Sequence, residues 1–279
     1  SDKNILQANY PGKLCSLDTD AIQSDGNSKQ CYMKEILAAL PHSPNQITVD
    51  RRSNILYFSF DSGQGEYVPA VLKIDSKKLS VLKGIKDAFA LAYDSVSGEI
   101  FFGGSYGIYR YNSVQQKCHR LARDNLDIWW LTINKHIYFI KFPSLNAYYY
   151  ANKTIRSVTS LDNVNVQQFV FDKDAHIFFI NSTGLYGVKD EDSGHVLLRD
   201  SPKFVSIAAD SNGFIYVCSE DGIFVISKVN HKVKRIVNIQ GVLALAFDRD
   251  NNIIYSDSHE IIRLLPVTQE KYYANNNLI

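Results

Sequence analysis

Six related phrases recur along the chain, each ending in an acid or amide, and the residues just before that anchor are where chemistry could be done. They are Ile47-Thr48-Val49-Asp50, Leu91-Ala92-Tyr93-Asp94, Leu131-Thr132-Ile133-Asn134, Phe169-Val170-Phe171-Asp172, Ile207-Ala208-Ala209-Asp210 and Leu245-Ala246-Phe247-Asp248, at intervals of 44, 40, 38, 38 and 38 residues. Four places before the anchor stand Gln46, Ala90, Trp130, Gln168, Ser206 and Ala244; two places before it stand Thr48, Ala92, Thr132, Val170, Ala208 and Ala246. Small residues there follow from crowding where the repeats converge. Gln46, Trp130 and Gln168 do not. An indole wall with two amides beside it suits a planar, partly polar molecule held by stacking and a few hydrogen bonds. Trp129, Tyr106 in Gly103-Gly104-Ser105-Tyr106-Gly107, Phe142 before Pro143, and His259 in Ser256-Asp257-Ser258-His259 are expected around the same rim. Each of these rings could equally pack one repeat against the next. Tyr148-Tyr149-Tyr150 is expected away from the axis, between sheets.

Covalent chemistry has little to work with. The sequence holds no Gly-rich phosphate cradle, HExxH helix, CxxC pair or nucleophile elbow. The anchors Asp50, Asp94, Asp172, Asp210 and Asp248 sit where a tight turn follows, and an Asp there usually caps its own backbone. His136 and His176 fall at the rim opposite the expected pocket. The enzymatic rival is a calcium-dependent lactonase-like propeller, for which Asn181, Asp257 and Glu220 lie at the correct rim. The innermost positions carry Gln, Ala, Ser and Trp instead of acids, a lining a hard divalent ion would not choose. A propeller that binds protein across its rim is the other alternative. No metal and no cofactor are expected.

The elements that position these residues follow from what comes after each phrase. A polar turn leads to a second apolar run, such as Ile55-Leu56-Tyr57-Phe58, Ile177-Phe178-Phe179 or Ile253-Ile254-Tyr255. A third run often opens on Gly, as in Gly107-Ile108-Tyr109 and Gly184-Leu185-Tyr186, and a more polar fourth closes the unit. Short runs of β-formers separated by Asp, Asn, Gly and Ser are antiparallel strands, and four per roughly 40 residues is the mark of a propeller blade. The fold expected is all-β, a six-bladed propeller of four-stranded blades over 31–267. The sixth copy has only three strands before Pro266, so a strand from the N-terminal side, around Tyr32 to Leu37, should complete it and close the ring. The rival closure is a return of Glu270 to Tyr273. Residues 1–30 form an extension outside the ring and 268–279 a polar tail.

The chain has 279 residues, with 30 Lys+Arg against 29 Asp+Glu. A net charge of +1 argues against a nucleic-acid partner. No apolar run approaches the roughly 18 residues of a membrane span. The start at Ser1-Asp2-Lys3, without Met or a hydrophobic leader, reads as a mature secreted chain. Four cysteines, with Cys15 and Cys31 flanking a polar stretch, suggest a tethering disulfide. Sequons at Asn152 and Asn181 fall at expected turns.

The Cys15/Cys31 segment, the Asp-ended phrases with their Ile-Tyr-Phe or Ile-Phe-Phe followers, and Ile128-Trp129-Trp130-Leu131 together resemble the insect ommochrome-binding proteins, secreted haemolymph proteins of moths. The resemblance covers nearly the whole chain. It implies a monomeric, extracellular, non-catalytic carrier of a tryptophan-derived phenoxazinone pigment or its precursors, with a small planar aromatic molecule as partner.

Overall fold

Alternating apolar and polar residues resolve into strands in a computed structural model, which describes residues 13–15, 30–122, 126–188 and 194–267. Two strands come from the N-terminal side, β1 (Lys13–Cys15) and β2 (Cys31–Ala39). Blade I holds β3 (Pro44–Asp50), β4 (Ile55–Asp61), β5 (Tyr67–Lys73) and β6 (Lys78–Val81); blade II holds β7 (Ala88–Tyr93), β8 (Ile100–Gly104), β9 (Gly107–Asn112) and β10 (Lys117–Ala122). Blade III holds β11 (Ile128–Asn134), β12 (His136–Lys141), β13 (Asn146–Ala151) and β14 (Thr154–Ser157). Blade IV holds β15 (Gln168–Phe171), β16 (Ile177–Asn181), β17 (Gly184–Val188) and β18 (His195–Arg199); blade V holds β19 (Phe204–Ala209), β20 (Ile215–Ser219), β21 (Gly222–Ile226) and β22 (Val233–Asn238). Blade VI begins with β23 (Ala244–Phe247), β24 (Ile253–Ser256) and β25 (Glu260–Val267).

Every pairing is antiparallel, and the sixth sheet runs β23-β24-β25-β2-β1. The N-terminal closure expected from the sequence is therefore the one observed: β2 pairs with β25 from Cys31 opposite Val267 to Ala39 opposite Glu260. The rival segment, Glu270 to Tyr273, lies outside the described residues. Strand β1, which the sequence pattern did not suggest, adds a fifth strand beyond the ring and sets Cys15 opposite Cys31.

One cross-strand pair recurs in all six blades and explains the aromatic-rich composition. The residue three places before each anchor faces a large residue of the second strand: Ile47 with Phe58, Leu91 with Phe102, Leu131 with Phe139, Phe169 with Phe179, Ile207 with Val217, and Leu245 with Tyr255. All six second-strand members are fully buried. Each contributes about 1.5–3 kcal/mol of apolar burial, so the repeat is a repeat of core pairs.

The anchor acids cap their turns, as their positions predict. Asp50 Oδ1 accepts from the Arg52 amide at 3.0 Å, Asp172 Oδ1 from Asp174 and His176 at 2.9 Å each, and Asp248 Oδ1 from Asp250 at 3.0 Å and Asn252 at 2.7 Å. One oxygen of each of these three carboxylates is thus committed to the backbone of its own turn.

Candidate ligand-binding site

The first strands of all six blades surround an axial channel of about 200 Å³. Gln46 and Trp130 line it, with Thr48, Ala92, Thr132, Val170, Ala208 and Ala246 below them. Its only carboxylate among the described residues is Asp210, held by its own turn and by the Asn251 side chain at 3.1 Å. The channel is smaller than the roughly 300–1,000 Å³ typical of a cleft for a drug-sized ligand.

Gln46, Trp130 and Gln168 all reach from one blade to the next. Gln46 Oε1 accepts from the Leu91 amide at 3.1 Å and its Nε2 donates to the Leu131 carbonyl at 2.9 Å, so one side chain ties blade I to blades II and III. The indole Nε1 of Trp130, a residue only 6% exposed, donates to the Phe169 carbonyl of blade IV at 2.7 Å. Gln168 repeats the motif: Oε1 accepts from the Ile207 amide at 3.0 Å, and Nε2 donates to the Val205 carbonyl at 3.4 Å. The physical cause is the unpaired inner edge of each first strand, whose amides and carbonyls need partners. In blades I, II, III and V the first strand also carries a register shift, between Pro44 and Ile47, Ala88 and Ala90, Ile128 and Trp130, and Phe204 and Ser206. Such a shift bends the strand and re-aims its side chains.

Trp129, Phe142 and two further rings form a row on the upper rim. Phe89 stacks on Trp129 at 4.8 Å between centroids and 23°, and Trp129 on Phe142 at 5.6 Å and 24°; Tyr67 meets Phe89 edge-on at 4.9 Å. Three nearly parallel planes thus end at Phe142, which is 48% exposed. Phe89 was not anticipated, although it stands five places before Asp94 as Trp129 stands five before Asn134. The same alignment of phrases carries that signal. Tyr67 is brought in only by the tertiary fold.

The row has an acidic border. Asp87 accepts from the Tyr67 amide at 3.0 Å and from the Ser105 hydroxyl. Burial, with the Asp87 charge adding to it, pushes the Asp127 carboxyl above its ordinary value. Burial, Asp61 and Asp87 likewise raise the Tyr67 phenol. Asn45, five places before Asp50, has a buried side-chain amide nitrogen with no hydrogen-bond partner among the described residues. Tyr106 lies in the β8–β9 turn, 42% exposed, and its carbonyl accepts from Arg120 Nε at 2.7 Å. His259 lies in the β24–β25 turn, where its amide donates to Asp257 Oδ1 at 2.9 Å and its carbonyl accepts from Leu40 at 2.6 Å. Both are on the upper rim; among the described residues no hydrogen bond or ring contact joins them to the aromatic row.

The sequence is similar to the ommochrome-binding protein of Manduca sexta. The two are 24% identical over 242 residues, which cover 84% of this chain and 88% of the relative. No family model matches the chain. Among solved structures, a gluconolactonase from Xanthomonas campestris superposes with a TM-score of 0.69 at 12% identity, covering 92% of this chain and 95% of that one. A calcium-binding regucalcin from Agrobacterium tumefaciens gives 0.63 at 12%, covering 84% and 95%. A streptogramin B lyase gives 0.61 at 13%, covering 85% and 98%. At such identities these structures share the propeller and nothing more specific. Of the residues named for a calcium site, Asn181 and Asp257 are engaged locally: Asn181 Nδ2 donates to the Asn165 carbonyl at 2.8 Å, and Asp257 Oδ1 accepts from the His259 and Glu260 amides; Glu220 lies in the β20–β21 turn. Among the described residues, the one group of acids and histidine close enough to share an ion is Asp172, Asp174 and His176, at the opposite rim.

Proposed function

We propose that this protein is a secreted, non-catalytic carrier of a planar aromatic pigment of the ommochrome type, bound at the axial rim. The observation that carries the reading is the similarity to the ommochrome-binding protein across most of both chains. The stacked row on the rim supports it with a physical mechanism. A conjugated plane adds to the stack at its exposed end, Phe142, over Trp129 and Phe89, where aromatic contact contributes beyond area alone. The acids Asp87 and Asp127 beside the row favour an amino group on the ligand. Gln46, Trp130 and Gln168 hold the blades together beneath the pigment, and Gln46 and Trp130 present their surfaces as the floor. Tyr106 on blade II and His259 on blade VI complete the rim.

Secretion belongs to the same reading. The register that sets Cys15 opposite Cys31 supports a bridge holding the N-terminal hairpin. Asn152, exposed in the β13–β14 turn, suits glycosylation better than Asn181, whose amide nitrogen is already engaged.

Both tryptophans of the chain are adjacent, so their fluorescence reports on the rim directly. Titration with a phenoxazinone ommochrome should quench most of it, and a visible band should co-elute with the protein through gel filtration. Unquenched fluorescence with a colourless protein would defeat the carrier reading. EDTA-sensitive hydrolysis of lactones by the same preparation would replace it with the enzymatic one.

A further inference from the structure

An opening larger than the axial channel lies away from the axis. A cleft of about 340 Å³ lies in the seam between blades IV and V, at the rim opposite the aromatic row. Phe178, Val188, Val196, Leu198, Ile215 and Ile226 wall it. Its mouth carries Asp172, Asp174, His176, Ser227, Lys228 and His231.

The cleft has an identifiable cause in the register. In each blade a second-strand residue faces one residue of the third strand: Tyr57 faces Val71, Phe101 faces Arg110, Tyr138 faces Tyr149, Tyr216 faces Val225 and Ile254 faces Arg263. In blade IV the pair is Phe178 and Gly187. Where five blades place a side chain of three carbons or more, this one places a hydrogen. A Cβ at Gly187 would stand 3.5 Å from Phe178 and 3.7 Å from Leu198, ordinary contact distances, so nothing in the packing requires glycine there. The glycine leaves the seam unfilled, and the side chains around it forgo the contacts that a residue there would supply.

The charges at the mouth select the occupant. Lys228 is turned onto the Phe214 ring at 4.6 Å. Asp172 is engaged by its turn and by His176 Nδ1 at 3.2 Å. Asp174 is exposed, and among the described residues no partner meets its carboxylate. An apolar chamber that ends at a free carboxylate fits an apolar body with a cationic head. The space holds about ten water-sized groups, the size of a phenylalkylamine.

We infer that the blade IV–V cleft, opened by Gly187, is a second binding site for a small aralkyl ammonium ion, with the ring between Phe178 and Ile226 and the ammonium at Asp174. The site is independent of the rim stack and of what that stack binds.

The probe is 2-phenylethylamine, with 2-phenylethanol and phenylacetate as its neutral and anionic counterparts, followed by amide NMR shifts in the intact chain. The amine should shift the amides of Gly187, Phe178, Ile226 and Asp174 and leave Phe89 and Trp129 unmoved, binding at least fivefold more tightly than the alcohol; phenylacetate should bind least. Asp174→Asn should bring the amine down to the affinity of the alcohol. Gly187→Val should abolish binding of both, and Gly187→Ala, which adds one methyl at contact distance, should weaken it while leaving the folded spectrum intact. Absence of shifts at millimolar amine, shifts centred on the rim, or unchanged binding by a folded Gly187→Ala or Gly187→Val variant would overturn the proposal.

Discussion

Trp129 and Trp130 are neighbours in sequence with opposite environments. Trp130 is buried and bonded through its indole nitrogen to the next blade, whereas Trp129 lies between two rings on the rim. Substitution should therefore separate binding from stability. Trp129→Ala removes the centre of the stack and should lower pigment affinity about tenfold, the scale of one or two lost aromatic pairs, with a small change in urea midpoint. Equal affinity in a binding titration would exclude the row as the pigment site. Gln46→Leu should do the reverse. It strands the Leu91 amide and the Leu131 carbonyl, at a cost of about 1–3 kcal/mol in urea unfolding.

Sheets are joined to sheets by side chains at both rims, and the ring closure between blades VI and I carries the densest set. Arg249 Nη2 donates to the Arg52 carbonyl at 3.2 Å, and the Arg249 amide to Asn54 Oδ1 at 3.1 Å. Arg263 on β25 donates to Glu35 Oε2 on β2 through Nη2 at 2.8 Å and Nε at 3.0 Å, and to the fully buried Asp248 at 3.2 Å. Lys77 of blade I reaches Glu35 Oε1 at 3.4 Å. Burial alone would raise the Glu35 carboxyl, but Arg263 and Lys77 outweigh it and hold it below its ordinary value. A carboxyl lowered on folding adds stability that is fully present above its unfolded pKa of about 4.3 and is lost as pH falls through the lower folded value. Glu35→Gln should thus flatten the acid limb of a stability-against-pH curve below about pH 4.5, while an unaltered limb would show that the clasp does not govern it. Arg263→Met leaves Asp248 without its cation and should cost about 2–3 kcal/mol.

The strands, the blade count and the closure by β2 were legible because they rest on period-two alternation and a near-constant repeat, both properties of the linear chain. The anchor acids were legible for the same reason, since each caps a turn only two to four residues away. Gln46 and Gln168 could be singled out as unlike their neighbours, but the carbonyls and amides they bond belong to other blades. The pairing of Phe89 with Trp129 and the gap at Gly187 are also products of neighbouring sheets. Their signal exists only once the six copies are set in register.

For the molecule as a whole, closure by the N-terminal strand makes β2 a condition of folding. Removing residues 1–40 would leave the edge of β25 unpaired over the stretch from Glu260 to Val267 and take Glu35 from Arg263. Such an edge templates association with other chains. The shortened chain should aggregate or lose its cooperative melt, and a peptide spanning 30–40 added during refolding should restore a soluble, cooperatively melting complex. A soluble monomer with an unchanged melt would show that five and three-quarter blades suffice.

That closure also orders events in time. Glu35 and Arg263 stand 228 residues apart, so β2 leaves the ribosome long before the strand it pairs with in blade VI. At the usual rate of synthesis the interval is roughly 10–45 s. Through it the edge of β2 that β25 will cover stays open to any other strand edge it meets. The yield of ring over aggregate should therefore depend on the speed of elongation as well as on the stability of the finished protein.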